Sequence, residues 1–275
     1  EGIKMKIKKY FSQDFKNQIW RLLISDEDKL VIETRNPQTK EAFFDCFDIN
    51  KKKFLFSDYQ LDEKFYVGIE TIYKEIIYFH KFPKPDLPNH KEIIAFDINS
   101  QKILWTNSEL SFHFAYDDKI FAYKQGFEER YFTALNYLEG NIVEDFGTDY
   151  LKINSLRRES ENLKDYSRYI FPQVYSSEDL FISKFINDYF SKLLLIGEIE
   201  YGIYNNLLLL SYHTQNQAGN LKNNFAAIDM HDNSTKISVV LSENTKSFMT
   251  DSFFMYKNFL ILLKEKNGLI IYKLE

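Results

Sequence analysis

Cysteine is almost missing from this chain of 275 residues: Cys46 is the only one. An intrachain disulfide is therefore impossible, and so is a metal cage built from thiolates. Glycine (9) and proline (5) are scarce, which excludes collagen-like and low-complexity classes. Long apolar runs are lacking as well. The segment Ile203 to Leu210 is broken by Asn205 and Asn206, so no transmembrane segment is expected. Positive charge is not in excess: the formal net charge of −5 argues against nucleic acid as a partner held by net charge. Glycine-rich phosphate loops, Gly-x-Ser-x-Gly, His-Glu-x-x-His and the calcium-loop signature are all absent, so no cofactor and no metal are expected. No secretory signal opens the sequence, and a cytoplasmic location is the default expectation. Export stays open, since a chain beginning Glu1-Gly2 rather than with Met is compatible with a trimmed N-terminus.

What is present is apolar, aromatic and repetitive. Hydrophobic residues make up 44% and aromatic residues 17% of the chain, enough for a large core. Phe47-Asp48-Ile49-Asn50 returns as Phe96-Asp97-Ile98-Asn99, with looser echoes at Leu135-Asn136-Tyr137-Leu138 and Ile228-Asp229-Met230. A repeat at this spacing marks an array of one supersecondary unit. A second landmark is a tight polar turn followed by three aliphatic or aromatic residues. Examples are Tyr73-Lys74-Glu75 before Ile76-Ile77-Tyr78, and Tyr116-Asp117-Asp118-Lys119 before Ile120-Phe121-Ala122. Polar turns flanked by β-branched and aromatic residues read as hairpins.

Together the landmarks predict four antiparallel strands per repeat, so the fold class is all-β, a β-propeller. The stretch 149–191 lacks both landmarks. Ser176 to Asp179 before Leu180, Phe181, Phe185 and Tyr189 predicts a helix over about residues 177–191, whereas 156–168 reads as charged and aperiodic. The whole chain is then one propeller domain, 1–275, with a partly helical insertion at 149–191. Five blades are expected and six are the alternative. The last repeat lacks a fourth strand, and the N-terminal stretch from Lys6 to Phe11 is expected to pair with Gly268 to Leu274 and close it.

The segment from Glu92 to Trp105 carries Ala95-x-Asp97 and Lys102-x-x-Trp105, and it resembles the repeat of quinoprotein-type β-propellers. The chain as a whole resembles a small group of uncharacterised bacterial propeller-like proteins known as a domain of unknown function. That resemblance implies a propeller and no activity, and no quinone-binding residue can be matched.

In a propeller the first strand of each blade lines the central channel. Alignment on the turns puts Arg21, Glu70, His113, Glu198 and Glu200 in a comparable zone. Two carboxylates facing one sugar could act as acid and base, or acid and nucleophile. Glu70, His113, Glu198 and Glu200 are accordingly the catalytic candidates, and Arg21 is a binding candidate. The insertion holds Arg157, Arg158 and Arg168, half of the chain's six arginines, with Tyr166 and Tyr169 beside them. Arginine and tyrosine concentrate at binding hot spots, so these five are binding candidates too. His80, His90 and His213 are expected in loops, where histidines are mostly just exposed. Asp48 and Asp97 are expected to fix strand corners, Trp20 and Trp105 to pack between blades, and Cys46 to be a buried, inert thiol. The function these features favour is a non-catalytic binding or interaction scaffold, with a protein, small-molecule or glycan ligand. The alternative is a glycan-active or other hydrolase using channel carboxylates.

Overall fold

The computed structural model describes residues 6–83 and 89–275. Strand β1 (Ile7–Asp14) is followed by three four-stranded meanders. These are β2 (Gln18–Ile24), β3 (Lys29–Arg35), β4 (Ala42–Asp48) and β5 (Lys53–Tyr59); then β6 (Val67–Tyr73), β7 (Ile76–Lys81), β8 (Lys91–Asp97) and β9 (Lys102–Asn107); then β10 (Ser111–Tyr116), β11 (Lys119–Gln125), β12 (Arg130–Asn136) and β13 (Ile142–Gly147). Helix α1 (Tyr150–Asn162), the two-residue strands β14 (Tyr169–Ile170) and β15 (Gln173–Val174), and helix α2 (Leu180–Phe190) come next. A fourth sheet holds β16 (Glu200–Tyr204), β17 (Leu207–Gln215), β18 (Leu221–Asp229) and β19 (Ser234–Thr245), with β15 added at its edge. The fifth runs β1-β22-β21-β20-β14, with β20 (Phe253–Tyr256), β21 (Phe259–Lys264) and β22 (Gly268–Leu274). Every pairing is antiparallel, the pattern of a propeller-like fold.

The corners follow from side-chain chemistry. Asp48 accepts the Lys51 N–H (2.8 Å), Asp97 the N–H groups of Asn99 and Ser100, Asn136 those of Leu138 and Glu139, and Asp229 that of His231. The repeated Asp or Asn is thus a turn anchor in four sheets, as the sequence suggests. Three hairpins take consecutive positive φ angles at non-glycine residues, at Lys74 (48°) and Glu75 (61°), at Asp117 (47°) and Asp118 (59°), and at Glu265 (49°) and Lys266 (63°).

The chain forms two compact units, Lys16–Lys164 and Glu1–Phe15 with Asp165–Glu275. In the first, the alternation of β7 splits cleanly between two cores. Ile77 and Phe79 join Val31, Phe44, Cys46 and Phe96, while Ile76 and Tyr78 join Ile93, Ala95, Ile120 and Leu135. Strand β11 repeats this, with Ile120 and Ala122 on one face and Phe121 on the other, where Ile153 of α1 covers it. In the second unit, Leu207 and Leu209 of β17 pack with Phe253 and Leu260, while Leu208 and Leu210 meet Ile182, Ile186 and Phe190 of α2. Each helix therefore buries a sheet face that lacks a neighbouring sheet in its own unit.

Helix α2 lies where the sequence predicts it. Helix α1 was not expected: it buries only Ile153 and Ser160, so it has no apolar period, and its start is set by Asp149, whose side chain accepts the Lys152 N–H. The expected pairing of the N-terminal strand is present over seven register pairs, from Ile7↔Leu274 to Asp14↔Gly268. Trp20 departs from its expected role: it is 64% exposed, with the Arg35 guanidinium 5.3 Å above its ring. Trp105 packs as expected, its Nε1 donating to the Tyr137 carbonyl.

Candidate functional site

Three first strands carry an extra residue at the same place. The register between first and second strand slips at Trp20 in β2, at Glu70 in β6 and at His113 in β10. Such bulges re-aim one side chain and are frequent beside functional sites. They correct the sequence alignment by one position: Trp20, not Arg21, is the counterpart of Glu70 and His113. Arg21 instead donates Nη1–H to the Ile69 carbonyl. Glu200 sits at no bulge, being in register with Ser211.

The bulge at Glu70 turns its carboxylate toward two histidines. Glu70 Oε1 lies 2.6 Å from His90 Nδ1 and 3.2 Å from His80 Nδ1. The two imidazoles stack, 3.6 Å between centroids and 4° between planes, and Phe82 stands edge-on to both. His80 is not the exposed loop residue expected; it is in β7 and 2% exposed. Its Nδ1 contact with Glu70 does not meet hydrogen-bond geometry, and neither ring nitrogen has a hydrogen-bond partner among the described residues. His90 is more open, and its carbonyl accepts the Ser111 hydroxyl at 2.8 Å. Residues 84–88, part of the loop expected between the histidines, lie outside the described residues.

The electrostatics follow from this packing. Burial alone would push the Glu70 carboxyl up, but the two imidazoles outweigh it and hold the group at about 2. Burial pushes His80 down, against the pull of Glu70. Nearby cations are committed elsewhere: Arg35 pairs with Glu33 at 2.6 Å and Lys81 with Glu92 at 2.8 Å. Among the described residues, Glu70, His80 and His90 are the group whose donor atoms converge, all within 4.8 Å of one another, and they could hold a metal ion. The sequence gives little sign of this, because the three residues are spread over twenty positions and meet only through the β6–β7–β8 register.

The other candidates are placed as follows. His113 is surrounded by Phe114, Tyr123 and Phe132, and burial, then Arg157 and Arg130, push it down to about 4. Both Glu200 oxygens accept the Asp251 N–H (3.1 and 3.2 Å), and burial raises its carboxyl with help from Asp251 and exposed Glu198. Arg157 pairs with Glu161 along α1, and Arg158 is exposed beside it. In the other unit, Tyr166 is exposed, the Arg168 carbonyl accepts the Lys257 N–H, and Tyr169 stacks on Phe171. His213, also expected in a loop, is buried in β17, where Nε2 accepts the Met249 N–H. Cys46 is fully buried, and its thiol is pushed up to about 12, chiefly by burial. A cavity of about 710 Å³ in the second unit is lined by Thr214, Gln215, Asn216, Lys222 and Asn224 among others. Two of its amides are engaged within the protein: Asn216 bonds Glu243 and Asn244, and Asn224 bonds Thr214.

Comparison with known proteins adds a family of unknown role. The family described as a domain of unknown function (DUF4905) matches residues 24–105, a stretch that contains Glu70, His80 and His90. No curated protein matches the chain. Among solved structures, a member of the DUF4221 family from Bacteroides vulgatus is 8% identical, with 98% of each chain covered and a TM-score of 0.33. The uncharacterised protein lmo1340 from Listeria monocytogenes is 11% identical over 92% of this chain and 94% of its own, with a TM-score of 0.33. The Dos1 propeller is 11% identical over 93% of this chain and 68% of its own, with a TM-score of 0.31. At that level of similarity nothing about activity or ligand follows. No helix among the described residues is long and apolar enough to cross a membrane.

Proposed function

We propose that the protein is a non-catalytic binding scaffold that takes a small charged ligand at Glu70, His80 and His90. His80 carries this reading. An imidazole that is 2% exposed, with both nitrogens unpartnered among the described residues, costs folding free energy of about 1–3 kcal/mol, and a ligand would recover it. We further infer that residues 1–275 form one propeller domain of five blades, with 149–191 as an insertion. The five antiparallel sheets, the β1–β22 pairing and the quinoprotein-like repeat at Glu92 to Trp105 support that reading.

Thermal-shift measurements on tag-free protein test the binding role, with zinc chloride, sodium phosphate, sodium citrate and neutral oligosaccharides as probes. At least one probe is expected to raise the melting temperature of the wild type and leave His90→Ala unchanged; no His90-dependent shift with any probe overturns the site. The hydrolase reading draws on the raised Glu200 carboxyl beside Glu198. It is tested by turnover of 4-nitrophenyl glycosides. None is expected, and turnover abolished by Glu200→Gln or Glu70→Gln would replace the scaffold reading with an enzyme.

A further inference from the structure

We propose that Glu70, His80 and His90 form a three-donor site for a divalent transition metal of the zinc class. This rests on the ligand-site reading above and names its ligand.

The donor set comes first. One carboxylate oxygen and two imidazole nitrogens suit zinc and its neighbours, whereas magnesium and calcium prefer all-oxygen shells. Charge is the second point: Glu33 pairs with Arg35 at 2.6 Å beside the site, so that guanidinium is already neutralised. The third point is the buried imidazole of His80, whose Nδ1 faces Glu70 and whose nitrogens have no hydrogen-bond partner among the described residues.

The side of the ring that would coordinate is also defined. A Cβ added at Gly68 would lie 3.0 Å from His80 Nε2, so that edge of the ring lies against the β6 backbone at Gly68. Nδ1 faces Glu70, which makes it the ligating atom. At 2.6 Å, Glu70 and His90 are at hydrogen-bond distance, closer than two ligands of one tetrahedral ion, which stand roughly 3.4 Å apart when each bond is about 2.1 Å. Parallel rings 3.6 Å apart cannot both hold one ion in their planes. Binding therefore unstacks the pair. The ring that moves is His90, whose side chain is 34% exposed, against 3% for His80. Three protein donors leave one tetrahedral position for a donor atom of whatever the scaffold binds.

The test is calorimetric titration of EDTA-treated, desalted, tag-free protein with zinc chloride, for the wild type, His90→Ala and Glu70→Gln. Cobalt(II) absorption reports coordination number, and circular dichroism checks that each variant is folded. One zinc per chain is expected, with affinity at least about tenfold weaker in each variant. Magnesium chloride is expected to give no heat. Histidine-ring NMR signals of the wild type should shift on zinc addition, with His90 moving most. No zinc binding by the wild type, or equal binding by wild type and both variants, overturns the proposal. If zinc is silent but phosphate or citrate stabilises the wild type and not His90→Ala, the metal is wrong and the ligand site survives. Silence from every probe removes both.

Discussion

Gly68 stands directly across the β6–β7 ladder from His80, and the absence of a side chain there is what admits the imidazole. A methyl group at that position would press on the ring and on Arg35, both buried or held by other bonds. Gly68→Ala is therefore expected to destabilise the protein by about 1–3 kcal/mol, read from denaturant melts. It should also change the His80 ring environment in NMR spectra. Asp45 offers a second residue-scale test. It is 4% exposed, and burial, opposed by the Asp58 N–H and reinforced by the Asp58 charge, raises its carboxyl to about 6. Between about pH 4 and 6 the folded state keeps a proton that the unfolded chain has lost, so stability falls as pH rises through that window. Asn at this position can still accept the Asp58 N–H, which Asp45 takes at 3.1 Å, and it carries no charge. Asp45→Asn is expected to stabilise at pH 7–8 by about 1–2 kcal/mol, after discounting for screening, and to be neutral at pH 4. Melts across that pH range decide it.

At the scale of elements, the bulges and helix α1 were hidden from the sequence for different reasons. A bulge changes which residue faces where without changing composition, so Trp20, Glu70 and His113 became equivalent only once the ladders were in register. Helix α1 escapes notice because it fully buries only Ile153 and Ser160, with Leu156 half-buried beside them, and leaves Tyr150 and Leu151 exposed, so no apolar stripe marks it. Its contribution should be correspondingly concentrated. Ile153→Ala is expected to cost about 2–4 kcal/mol, and Arg157→Ala, whose pair with Glu161 is solvent-exposed, less than about 0.5 kcal/mol. Paired unfolding curves distinguish this from a helix held by its charges. The hairpins, by contrast, were legible because their signals are local. Lys74-Glu75 and Asp117-Asp118 turn where the apolar runs stop, and Asp48 and Asp97 bond the backbone two or three residues on.

For the whole molecule, the longest-range feature is the pairing of β1 with β22, which joins residues about 260 positions apart in the chain. Strand β22 lies between β1 and β21, so removing β1 uncovers a full edge of backbone donors and acceptors. Deletion of residues 1–15 is expected to lower the melting temperature and to promote aggregation, measured by light scattering during heating. A truncated chain that melts and scatters like the full one would show that the pairing adds nothing to stability. A compact unit assembled from both chain ends, Glu1–Phe15 and Asp165–Glu275, carries this cost in loop-closure entropy, which local sequence patterns do not report.

The amino-acid sequence by itself determined the all-β class, the four-strand repeat, the corner residues, helix α2 and the inert burial of Cys46. Each of these rests on interactions within a few residues, or on an alternation that every strand displays along its own length. Only the tertiary structure decided that His80 is buried without hydrogen bonds to the described residues, that His90 stacks on it, and that Glu70 faces both. That cluster exists because a bulge in β6, a glycine opposite β7 and the end of β8 meet at one point, and such convergence is a property of register and packing rather than of any segment's composition.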